Sequence, residues 1–171
     1  MRDERDLGSA GRGVLKRVSV DLPDGSSFDQ FILELPASVI VAAVNDGSEL
    51  LMIRRFRFVV DRWVWELPGG FVEEGEQAVT AARRELEEET GWTASSIEHV
   101  VSFEPMVGSA SAPNSVFVAR GCRELGGPLD VNEATEVRWI RLSDAESLVE
   151  SGEIVGSASV VAIAWLRRGQ V

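Results

Sequence analysis

Seven glutamates crowd the stretch between Glu73 and Glu89, at positions 73, 74, 76, 85, 87, 88 and 89. Within it, EQAVTAARRELEEET (Glu76 to Thr90) has no glycine or proline and is rich in strong helix formers. Ala78, Ala81, Ala82, Glu85, Leu86 and Glu89 recur at three- and four-residue intervals, so the spacing predicts a helix. Gly91 then ends it as a left-handed C-terminal residue. On such a helix Glu85, Glu88 and Glu89 lie on one side, close enough to share a ligand. Like charges at that spacing cost roughly a few tenths of a kcal/mol per pair unless something positive sits between them. Two readings follow. One is a solvated acidic face. The other is a carboxylate cluster for a hard divalent cation, which would polarise a phosphoryl oxygen and generate hydroxide from bound water. Spacing alone leaves them level, although a solvated face does not account for the turn Pro68-Gly69-Gly70 directly upstream.

The flanking sequence supplies elements to position this helix. VLKRVSVDL (Val14 to Leu22) alternates, Pro23 to Gly25 forms a turn, and SFDQFILEL (Ser27 to Leu35) returns, giving a hairpin over 14–35. SVIVAAV (Ser38 to Val44) is a continuous β-branched run, as in a strand covered on both faces. Asn45 to Gly47 turns the chain into ELLMIRRF (Glu49 to Phe56), and WVWELP (Trp63 to Pro68) is a short strand. Ile97 to Phe103, Ser115 to Cys122 and Glu136 to Leu142 also read as strands. Ser143 and Glu146 form a capping box for a helix over Ser143 to Gly152, and Ser157 to Gly169 is a final helix with cations in its last turn. This order predicts an α+β layered domain over 14–171 rather than a wound parallel sheet. The polar, glycine-containing residues 1–13 are expected to be mobile.

At 171 residues the chain has room for one ordinary domain with a real core. Seventeen basic against 28 acidic side chains give a formal charge of −11, which disfavours binding to nucleic acid. No apolar run approaches the ~20 residues needed to cross a bilayer, so no membrane association is expected. MRDERDLGSAGRG places charges where a signal peptide needs its apolar region. The single cysteine, Cys122, reads as a small core residue and fits a reducing compartment, so a cytoplasmic location is expected.

The segment GFVEEGEQAVTAARRELEEETGW (Gly70 to Trp92) resembles the Nudix box: Gly70, Glu76, Arg84-Glu85, Leu86, Glu88-Glu89 and Gly91 fill its fixed positions. Trp92 stands where an aliphatic residue is usual. The resemblance implies an α/β/α sandwich with a mixed sheet, here with an N-terminal β-hairpin extension, and hydrolysis of a nucleoside diphosphate derivative. It implies that Glu85, Glu88, Glu89 and the Gly69 carbonyl bind Mg²⁺ or Mn²⁺, with Glu85 also catalytic. Arg84 would orient the helix glutamates and Glu76 would fix the loop.

Outside the box, RRFRF, WELPGG and NEATEVRWIRL look like ADP-ribose pyrophosphatases and related nucleotide-sugar hydrolases. That likeness implies a late-loop glutamate that positions the attacking water, with Glu133 the best match and Glu136 second; both are otherwise ordinary loop acids. It also implies a homodimer. Arg55 and Arg57, on one face by alternation, are candidates to neutralise the substrate's diphosphate, or are surface charges. Trp63 is a candidate for stacking a base, or a core or interface residue. The loop Phe103 to Asn114 lacks the adjacent Pro-Gly frequent in ADP-ribose enzymes. GDP-mannose, a dinucleotide, or binding of ADP-ribose without hydrolysis therefore remain alternatives.

Overall fold

A computed structural model describes residues 3–126 and 136–169. Its strands are β1 (Asp3–Ala10), β2 (Gly13–Asp21), β3 (Ser27–Glu34), β4 (Ser38–Ala43), β5 (Glu49–Arg57), β6 (Arg62–Glu66), β7 (Gly69–Phe71), β8 (Trp92–Phe103), β9 (Ala110–Ser111), β10 (Asn114–Glu124) and β11 (Glu136–Arg141). Its helices are α1 (Ala78–Thr90), α2 (Leu142–Glu150) and α3 (Ser157–Arg168). None of them is long and apolar enough to cross a membrane.

The layering follows from β4. Its side chains alternate between two cores, as the pleat of a strand requires. Val39, Val41 and Ala43 pack with Ala81, Ala82 and Leu86 of α1. Ile40 and Ala42 pack on the other side with Ala145 of α2 and Ala162 and Ile163 of α3. All five of these β4 residues are buried, as the unbroken apolar run predicts. The result is an α+β, α/β/α sandwich.

Three sheets carry the strands. The central one has the order β7-β4-β10-β8 and is mixed: β4 runs parallel to β10 and antiparallel to β7. A second has the order β11-β5-β6 and is antiparallel. The third, β1-β2-β3-β9, contains the expected hairpin, with Val14 opposite Glu34 and Asp21 opposite Ser27.

Three local expectations differ from what is observed. Residues 3–10 form a strand paired along β2, from Asp3 opposite Ser19 to Ala10 opposite Gly13. Backbone pairing to an existing hairpin edge outweighs their polar composition. Helix α1 starts at Ala78 rather than Glu76, because the Glu76 N–H turns back to the Glu73 carbonyl and its carboxylate is drawn to Arg84. The capping box at Ser143 does not form. Helix α2 begins at Leu142, no side chain caps it, and Ser143 Oγ reaches Asp144 instead. The C-terminal end of α1 is as expected: Gly91 takes φ 72° and donates its N–H to the Glu87 carbonyl at 2.9 Å.

Candidate active site

The turn before α1 is fixed from several sides. Leu67 N–H donates to Ser159 Oγ at 3.0 Å, and the Pro68 carbonyl accepts from Val41 N–H at 2.9 Å. Both following glycines are needed for close approach. A Cβ on Gly69 would lie 2.2 Å from the Val39 carbonyl oxygen, and one on Gly70 would lie 2.4–2.6 Å from the Glu85 carboxylate. The carboxylate therefore rests directly on the backbone of the turn.

Arg84 binds the acidic groups together with a full set of donors. Its Nε and Nη2 donate to Glu76 (3.1 and 3.0 Å), Nη2 also to the Phe71 carbonyl (3.1 Å), and Nη1 to Glu85 (2.7 Å) and Glu88 (3.1 Å). The Glu76 bonds above all, then those to Glu85 and Glu88, raise the guanidinium pKa further. In return Arg84, helped by the Glu73 N–H, lowers that of Glu76. The cation that like-charged helix neighbours require is thus Arg84 itself. On the far side of α1, Arg83 donates to the Ala94 carbonyl at 2.6 Å, and Thr93 Oγ1 donates to Glu87 at 2.6 Å, tying the helix to β8.

Glu89 is 5% exposed. It accepts from Gly69 N–H at 2.8 Å and from Arg55 Nη2 at 2.6 Å. Burial nevertheless dominates and pushes its pKa up to about 7, against the opposing pull of Arg55 and the Gly69 N–H and with Glu85 adding to the rise. Arg55 Nε is buried with no hydrogen-bond partner among the described residues. Arg57 makes a bidentate contact to Glu66, which raises its pKa.

Arg55, Arg57, Gly69, Gly70, Glu85 and Glu89 line one cleft of about 590 Å³. Glu88 does not line it, and its 55%-exposed side chain is turned to Arg84. Among the described residues no three acidic, histidine or cysteine side chains already stand as a metal-holding group.

Two expected site residues lie elsewhere, for one reason. Arg54 is opposite Trp65 and Glu136 across the β11-β5-β6 sheet, and Phe56 is opposite Trp63. Alternation puts these residues on the sheet face away from Arg55 and Arg57. Trp63 accordingly packs edge-on against Phe56, with ring centroids 5.6 Å apart, beneath the Arg54 guanidinium. Glu136 is ion-paired to Arg138. Neither lines the cleft. Glu133 lies outside the described residues. Cys122 is half-buried, and burial raises its thiol pKa.

Sequence reasoning missed Arg12 and Asn114, both of which line the cleft. The available signals were a cation flanked by glycines, Gly11-Arg12-Gly13, and an asparagine directly after Pro113.

This layered fold, with an acidic helix docked on a glycine turn, defines a family. Residues 34–158 match the NUDIX domain model, and the chain belongs to that family. It is 36% identical over 95% of its length to a CMP-5'-(N-acetyl-N-hydroxy-3-aminopropyl)phosphonate hydrolase of Streptomyces rubellomurinus, covering 79% of that protein. It is 37% identical over 86% of its length to an ADP-ribose pyrophosphatase of Bacillus subtilis, covering 81% of it. An ADP-ribose pyrophosphatase of Mycobacterium tuberculosis is 30% identical over 88% of this chain and 74% of that one. A crystal structure of an ADP compounds hydrolase superposes with a TM-score of 0.85 at 19% identity, covering 99% of this chain and 94% of that chain, so the fold is shared.

Proposed function

We propose that this Nudix pyrophosphohydrolase cleaves the diphosphate of ADP-ribose or a related nucleoside diphosphate sugar, giving a nucleoside monophosphate and a sugar phosphate. The observation that carries the reading is the cleft in which Glu85 and buried Glu89 meet Arg55, Arg57 and the Gly69-Gly70 backbone. Its arginines suit phosphate oxygens, and Arg55 Nε is a buried donor that a substrate oxygen would satisfy. The ADP-ribose pyrophosphatases among its relatives supply the substrate class.

The donors are all hard oxygens, which fits a divalent cation of the Mg²⁺ or Mn²⁺ type. Glu85 and Glu89 would hold it, joined by Glu88 once released from Arg84 and by the Gly69 carbonyl. When bound, such an ion supplies charge neutralisation and a more acidic water. The chain's own residues do the rest. Arg84 keeps Glu85 in place from behind, Arg55 holds Glu89, and Arg57, anchored by Glu66, faces the diphosphate. Glu133 positions the attacking water and takes up its proton: the water oxygen bonds to one phosphorus, the bridging P–O bond breaks, and the departing phosphate retains the bridging oxygen.

A second reading is a nucleoside monophosphate linked to a phosphonate. It is supported by the Streptomyces relative, whose alignment spans more of this chain. Both substrates share a nucleotide joined through P–O–P. A hydrolysis panel with Mg²⁺ or Mn²⁺ separates them: ADP-ribose, GDP-mannose, a dinucleotide and a cytidylyl phosphonate, with wild type against Glu89→Gln. Turnover of ADP-ribose alone supports the first reading, and turnover of the phosphonate alone supports the second. Binding of ADP-ribose with no turnover of any compound makes the protein a sensor.

A homodimer and a cytoplasmic setting belong to the same reading. The dimer is supported by exposed apolar residues at the β5–β6 turn, where Phe58 and Val59 are each 81% exposed. The compartment is supported by the lone, half-buried cysteine. Light scattering on wild type and Phe58→Asp tests the first.

A further inference from the structure

Three arginines line the cleft, and they differ in what already holds them. Arg55 is bonded to buried Glu89 and Arg57 is held in a bidentate pair by Glu66. Arg12 is different. It comes from the turn between β1 and β2, and among the described residues its one acidic partner is Glu73 at 4.0 Å, with both side chains more than half exposed. An exposed pair at that distance contributes little to holding a side chain.

What places Arg12 is the ring of Phe71, with its guanidinium carbon 5.5 Å from the ring centroid. Phe71 is itself a fixed platform, since its carbonyl accepts from Arg84 Nη2 and its backbone is paired with Ser38 of β4. Arg12 also stands where the cleft joins a second, largely apolar hollow of about 690 Å³ under the N-terminal sheet; Leu35 and Phe71 are common to both. A planar donor fork resting on an aromatic face, in a cleft whose other two arginines are each already paired to a glutamate, suits an incoming phosphate.

We infer that Arg12 is a substrate-binding residue that donates to a non-bridging phosphate oxygen of the nucleotide substrate; the inference rests on the diphosphate reading of the cleft. Exchanging a distant, exposed glutamate for substrate phosphate costs the free protein little, so Arg12 acts on binding more than on the chemical step.

Steady-state kinetics with ADP-ribose and Mg²⁺ would compare wild type, Arg12→Ala, Arg12→Lys and Arg17→Ala. Arg17, on β2 and paired to Asp29, controls for the loss of one positive charge from the same sheet. Arg12→Ala is expected to raise KM about tenfold with kcat changed less than about twofold, Arg12→Lys to recover part of the loss, and Arg17→Ala to leave KM unaltered. Calorimetric titration of ADP in Mg²⁺ provides a second arm independent of turnover, with Arg12→Ala weakening Kd about tenfold. An unchanged KM and Kd in Arg12→Ala overturns the inference, as does an equal effect of Arg17→Ala. Wild type that binds ADP through Arg12 but leaves ADP-ribose intact overturns the hydrolytic reading and keeps this one.

Discussion

The Glu85 carboxylate lies so close over Gly70 that a single methyl group there would sit 2.4 Å from its Oε1. The obstructing atoms are the end of a flexible side chain, so Gly70→Ala is accommodated by swinging Glu85 aside rather than by unfolding. The expected outcome is a loss of kcat of roughly 10²-fold from misplacement on the order of 1 Å. Thermal melting should shift by only a few degrees. A variant that keeps full activity would remove Glu85 from the site.

Arg84 carries the acidic cluster, and its removal leaves Glu76, Glu85 and Glu88 without their shared cation. Arg84→Ala is expected to cost about 2 kcal/mol of stability in urea unfolding without metal, the scale of hydrogen bonds to charged groups. Adding Mg²⁺ should restore a larger share of stability to the variant than to wild type. Arg84→Lys should remain poorly active, because an ammonium cannot reproduce the planar fork.

The protonation of Glu89 gives the metal-free protein a pH signature. Its folded pKa is about 7 against an ordinary 4.5, so the folded state holds the proton more tightly than the unfolded chain. Stability from this group is complete below about 4.5 and falls as pH rises towards 7, by up to about 3 kcal/mol. Unfolding titrations of wild type and Glu89→Gln in chelator should diverge across that window, with the glutamine variant gaining relative stability at pH 8. Parallel curves would show that Arg55 neutralises the carboxylate fully.

Glu133→Gln is expected to lower turnover by roughly 10² or more while leaving Mg²⁺ affinity nearly intact, the pattern of a group that orients water rather than binding metal. Glu136→Gln should change turnover less than about twofold, since Glu136 faces Arg138 on the other side of its sheet. The reverse result would exchange their roles.

The strands around the helix were legible in sequence because each has a strong local signature. The β-branched run at β4 reads as buried on both faces, and the alternation of β5 separates Arg55 and Arg57 from Arg54. That Glu85, Glu88 and Glu89 share one side of a helix was legible because their spacing is local; spacing left a solvated acidic face as an equal reading, and their candidacy as metal ligands came from the resemblance to the Nudix box. Pairings over long sequence distance were not. Nothing local in residues 3–10 announces pairing to β2, and nothing near Trp63 or Glu136 reveals which sheet face looks into the cleft. Arg12 reaches Phe71 across nearly sixty positions, a contact fixed by the layering of the N-terminal sheet rather than by any periodicity. Ser143 shows the converse: a local motif overridden when β11 runs straight into α2.

The floor and the rim of the cleft have separate origins along the chain. The floor, from Gly69 to Glu89, is one short continuous segment that Arg84 ties together and Arg55 of β5 braces at Glu89. The rim is assembled from the β1–β2 turn and from Pro105, Met106, Ala112 and Asn114. Reaction and selectivity can thus drift independently over evolution. Rim loops are open to exchange, by mutation or in the laboratory, to admit a different leaving group over the same arrangement of glutamates and glycines.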